Sequence, residues 1–113
     1  MSNAASEARR WYASRISAMV LALCVVVHLA TIIYAVQGGL TAGEILGRTR
    51  GNVLFTGFYG VFVLACAVHV PVGLENIARE WFRLGPRAAR VLAWAAATLI
   101  LVTGLRAVYG VYA

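Results

Sequence analysis

Two histidines, His28 and His69, are the side chains of this sequence with the most chemistry to offer, and each stands inside a long uncharged run rather than at its edge. An imidazole surrounded by hydrocarbon must find a partner for its ring nitrogens, so an ionisable residue at that depth is a functional candidate by default. It can ligate a metal or simply bond a neighbouring helix. One isolated histidine leaves those readings level; two on separate runs favour ligation. Other chemistries lack their parts. No Asp or Glu lies within a run, so a proton-coupled transporter with an embedded carboxylate is disfavoured. There is no His-Glu-x-x-His, no Cys/His cluster at zinc spacing, no Cys-x-x-Cys-His and no motif that would activate a serine. Cys24 and Cys66 lie in apolar surroundings, where a thiol behaves as a small hydrophobe.

The neighbours narrow the role. On a helical wheel Ser17, Cys24, His28 and Thr31 share one stripe, and His69, Gly73, Asn76 and Glu80 share another. Both histidines therefore sit among small or weakly polar residues rather than in the leucine and valine field. Gly73, one turn from His69, would let a flat macrocycle approach, or equally another backbone. Such a face suits a b-type haem held between helices by neutral imidazoles. The string from Trp11 to Ser17 gathers indole, hydroxyl and guanidinium groups (Trp11, Ser14, Arg15, Ser17) suited to a quinone carbonyl. An aromatic belt with a snorkelling arginine accounts for the same residues. Arg79 and Arg83 could neutralise haem propionates at one membrane face and Arg48, Arg50 or Arg106 at the other; phosphate headgroups are their alternative partners.

The elements that must position these groups follow from composition. Of 113 residues 62% are hydrophobic and 12% charged, about half the charge of an average soluble domain, which excludes an ordinary water-soluble enzyme. Residues 1–10 are small and polar and read as a mobile tail, and residues 11–113 form one membrane domain. Uncharged runs predict spans at about 16–36, 53–75 and 91–112, the first of them about 31 Å of helix against a hydrocarbon core of about 30 Å. Its length also exceeds that of a signal-peptide core, which favours a retained span. The expectation is an all-α integral membrane protein with three transmembrane helices. Thr41-Ala-Gly-Glu44 fits an N-capping box and predicts a short interfacial helix between the first two spans.

All ten basic residues are arginine, and the net charge is +6. Such a balance in an apolar chain points to lipid headgroups, propionates or partner subunits; no nucleic-acid-reading motif is present. Arg9, Arg10, Arg15, Arg79, Arg83, Arg87 and Arg90 fall on one side of the predicted spans, so that side and the N-terminus are expected in the cytoplasm. Trp11, Tyr12, Trp81 and Phe82 then mark the inner interface and Tyr34, Tyr109 and Tyr112 the outer. Counted from the arginine-rich ends of the runs, His28 lies about 18 Å deep and His69 about 9 Å. That mismatch favours two different irons, each completed by a histidine from elsewhere, over one iron gripped by both.

The segment His69-Val-Pro-Val-Gly73-Leu-Glu-Asn-Ile-Ala-Arg-Glu80 resembles the His-x-x-x-Gly-[Ile/Leu]-x-x-x-x-x-[Asp/Glu] signature of the cytochrome b membrane-anchor subunits of succinate dehydrogenase and fumarate reductase. Arg15-Ile-Ser17-Ala18 resembles the Arg-x-Ser-Gly that opens their first span, and the likeness covers about residues 11–105. It departs at Glu75, where arginine is usual, at Asn76, where a second histidine often stands, at Ser14, which replaces a histidine, and at Trp11, where some members carry a quinone-binding serine. The resemblance implies a subunit that anchors a flavoprotein and an iron–sulfur protein and passes electrons between the iron–sulfur subunit and membrane quinone. It implies His69 as an axial ligand of haem b, opposite a histidine of a second anchor chain or second copy. It further implies Arg15 and nearby hydroxyls in a quinone pocket, and His28 as ligand of a second haem. The expected location is the bacterial inner membrane. A haem-free structural or assembly anchor, its histidines only bonding helices together, is the alternative.

Overall fold

Each uncharged run lies within a longer helix in the computed structural model, which describes residues 4–113. The order is α1 (Ala4–Gly38), α2 (Ala42–Thr49), α3 (Val53–Glu80) and α4 (Pro86–Tyr112). α1, α3 and α4 are each long and apolar enough to cross a membrane, so the all-α, three-span architecture is the one found. The expected polar tail divides in two. Residues 1–3 lie outside the described residues, whereas residues 4–10 are already helical and continue without a break into the first apolar run. Their alanines, glutamate and arginines are strong helix formers, and Glu7 in the first turn meets the positive end of the helix dipole. Arg10 then ties this turn to α3, its guanidinium 3.3 Å from Glu75 Oε2 and donating to Asn76 Oδ1 at 3.1 Å.

The short connections are held by caps. Thr41 begins α2 as expected: its hydroxyl accepts from the Glu44 N–H at 3.2 Å and donates to Glu44 Oε1 at 2.6 Å. Asn52 begins α3 by accepting from the Phe55 N–H at 3.0 Å. At the same end the last carbonyls of α4 receive donors from the end of α2 and the turn after it: Thr49 Oγ1 bonds Val111 O and the Gly51 N–H bonds Tyr112 O. At the opposite end α3 stops where Leu84 N–H returns to Ala78 O, with Arg83 in the left-handed region (φ 53°). Pro86 then starts α4 at a position whose N–H needs no partner.

α3 is the middle helix and packs against both α1 and α4. The helices meet through small residues: the buried apolar positions are Cys24 on α1, Ala65, Pro71 and Ala78 on α3, and Ala89 and Ala93 on α4. Gly104 lies so close to α3 that a Cβ there would fall 2.7 Å from Val63 Cγ1, the close approach of backbones that membrane helices use in place of a hydrophobic core. Among the described residues no large side chain is fully buried, while leucines, valines and isoleucines project outward along all three long helices. That is the pattern of a surface solvated by lipid.

Candidate functional site

Ser17 is the buried residue of α1 that faces His69, and its own hydrogen bonds decide what the imidazole can do. A hydroxyl carries one hydrogen. Ser17 Oγ donates it to Ser14 O, one turn back, at 3.0 Å, the local bond that a helical serine readily makes. With that hydrogen on Ser14 O, the contact of 3.3 Å between Ser17 Oγ and His69 Nδ1 suits the tautomer in which the ring donates from Nδ1 and keeps its lone pair on Nε2. This is the arrangement of a ligating histidine, whose other nitrogen bonds an oxygen that fixes the tautomer. One turn away, a Cβ on Gly73 would meet nothing within 4 Å, so Gly73 is not spent on packing α3 against the chain's own helices and leaves open space beside the ring.

His28 is held differently. Its Nδ1 lies 2.6 Å from the Tyr59 hydroxyl, and its ring meets Tyr59 and Phe62 edge to face. Phe55 and Phe58 complete an aromatic cluster around Tyr59. Sequence reasoning overlooked Tyr59; its signal was a tyrosine inside an uncharged run, where the hydroxyl needs a partner. Thr31, on the same stripe, directs its hydroxyl to Val27 O at 2.9 Å.

The contacts of α1 with α3 also set the levels of the two rings. Arg10 meets Glu75, Ser17 meets His69 and His28 meets Tyr59, so each step up α1 is matched, to within one residue, by a step back along α3. His28 lies eleven residues beyond Ser17 on α1, about 16 Å along the helix, and the matching separation on α3 is about 15 Å. The depth count from the sequence put it at about 9 Å because it took Ile16 and Glu75 as level. Glu75 is level with Arg10, since α1 continues as helix for three turns before its apolar run. A single iron is out of reach of both imidazoles. No group of three or more His, Cys, Asp or Glu gathers among the described residues, so each imidazole stands alone as a donor.

Of the residues expected to meet a quinone, Trp11 and Ser14 line a recess of about 290 Å³ with Arg10, Val72 and Asn76. Ser17 is buried beneath it against His69. Arg15 stands on the exposed side of α1, its guanidinium 5.3 Å from the centre of the Trp11 ring, a cation–π contact of the kind an interfacial belt provides. Arg79 is exposed and about 80° around α3 from His69, and Arg83 lies in the turn after α3. The second residue the sequence reading missed is Arg10, which crosses to Glu75 and Asn76 where the resemblance departs from its pattern. Compared with known protein families, curated proteins and solved structures, the chain matches none.

Proposed function

We propose that this chain is the haem-b-binding membrane anchor subunit of a succinate dehydrogenase or fumarate reductase-like complex, passing electrons between an iron–sulfur subunit and membrane quinone. The observation that carries the reading is the His69–Ser17–Ser14 contact, made at Nδ1 and leaving Nε2 without a hydrogen bond among the described residues. The open flank at Gly73 supports it. His69 would hold one haem and His28 a second, each with a further ligand from a second anchor chain or a second copy. A haem bound there supplies a one-electron couple whose potential follows its ligands and their surroundings. The protein's part is to orient the imidazole through Ser17 and exclude water with apolar helices. The arginine-rich end faces the cytoplasm of a bacterial inner membrane, where a flavoprotein and an iron–sulfur protein dock. Trp11, Ser14 and Arg15 stand at that level as the quinone-facing groups.

One observation favours a second reading, a haem-free structural anchor: each imidazole bonds a residue of the facing helix, Ser17 or Tyr59. A reduced-minus-oxidised spectrum of the purified complex separates the two. A low-spin b-type signal that loses a component in His69→Ala is expected; an unchanged spectrum in that variant removes His69 as a ligand, and absence of the signal in the wild type favours the structural anchor.

A further inference from the structure

α1 and α4 lean on α3 rather than on each other, which leaves a groove of about 720 Å³ along α3 at the arginine-rich end. Its two ends differ in chemistry. The rim carries Glu7, Arg10, Glu75, Arg79 and Arg90, and the floor below it is Ala67, Val68, Pro71, Val72, Ala93 and Ala97, with Trp94 along one wall. Arg10 is occupied by Glu75. Arg79 and Arg90 form no ion pair with a carboxylate among the described residues. From Arg79 to Ala67 the groove follows α3 for twelve residues, about 18 Å, of which the apolar stretch below Glu75 takes about 12 Å. One leaflet contributes about 15 Å of hydrocarbon. The groove is thus shaped for a molecule with an anionic head and an aliphatic tail about one leaflet deep. It lies on a different side of α3 from the His69 and Gly73 stripe, so it does not depend on the electron-transfer reading.

We propose that this groove is a binding site for an anionic glycerophospholipid, with the phosphate between Arg79 and Arg90 and one acyl chain on the alanine and valine floor beside Trp94. A partner helix fits only if it brings acidic side chains or its carboxyl end to the level of the two arginines, whereas an anionic phospholipid carries its phosphate at that level. Pro71 has no N–H for Ala67 O, which leaves that carbonyl without its usual helical donor where both residues line the groove.

Trp94 is a built-in reporter, 70% exposed and one of three tryptophans. In the full chain carrying Trp11→Phe and Trp81→Phe, reconstituted in phosphatidylcholine vesicles, quenching of Trp94 by brominated phosphatidylglycerol is compared with quenching by brominated phosphatidylcholine. The anionic lipid is expected to be preferred by about fivefold for each arginine. The pair Arg79→Gln and Arg90→Gln should abolish the preference, Arg79→Lys with Arg90→Lys should keep most of it, and Arg48→Gln with Arg50→Gln at the opposite end should leave it unchanged. Equal quenching by both lipids in the parent overturns the proposal, as does a preference that survives the glutamine pair. Displacement by soluble glycerophosphate would reduce the site to an anion site without a tail. Protection of Trp94 from both lipids in the assembled complex would assign the groove to a partner subunit.

Discussion

Ser17 and Tyr59 act on imidazoles about 15 Å apart, and removing either hydroxyl tests the assignment of each ring separately. In Ser17→Ala a His69 ring that ligates through Nε2 loses the acceptor of its Nδ1–H and becomes a weaker donor to the metal. The midpoint potential of the His69-linked component is expected to rise, on the order of tens of millivolts, while the other component stays where it was. Tyr59→Phe should do the reverse, shifting only the His28-linked component and retaining the aromatic cluster of Phe55, Phe58 and Phe62. A redox titration of each variant reads both outcomes. If the histidines only join helices, each substitution instead costs about 1–3 kcal/mol of stability with no spectral change.

At the level of elements, the decisive contact is between α3 and α4. Gly104→Ala places a methyl 2.7 and 2.9 Å from the two Val63 γ-carbons, and the short, stiff valine has little room to yield. Thermal unfolding in detergent should show a loss of about 1–3 kcal/mol, and Val63→Ala added to Gly104→Ala should recover most of it. The α2 helix was readable because its capping chemistry is local: Thr41 and Glu44 are three residues apart and satisfy each other. The extra turns of α1 before its apolar run were not, because their partner, Glu75, is distant in sequence and becomes adjacent only when α3 returns antiparallel.

Over the whole molecule, a body of 52 × 23 × 22 Å with its large apolar side chains facing outward is longer than a hydrocarbon core of about 30 Å, so helix ends emerge from it. The arginine-rich end gathers the start of α1, the end of α3 and the start of α4. If that end is cytoplasmic, Gly85→Cys should react with an impermeant maleimide only after spheroplasts are permeabilised, and Gly43→Cys should react in intact ones. Both positions are open, since a Cβ at either meets nothing within 4 Å. The reverse pattern would invert the orientation and place any docked iron–sulfur subunit on the wrong side.

Three helical spans, the short α2 helix and the candidacy of His28 and His69 followed from the amino-acid order alone, because hydropathy, capping and the cost of an ionisable ring in oil are properties of short stretches of chain. The partner of each imidazole, the true separation of the two rings and the groove beneath Arg79 and Arg90 were decided only when the helices packed. Each depends on the register between α1, α3 and α4. That register is set by which small residues let two backbones close together, a pairing between segments far apart in sequence that no single stretch encodes.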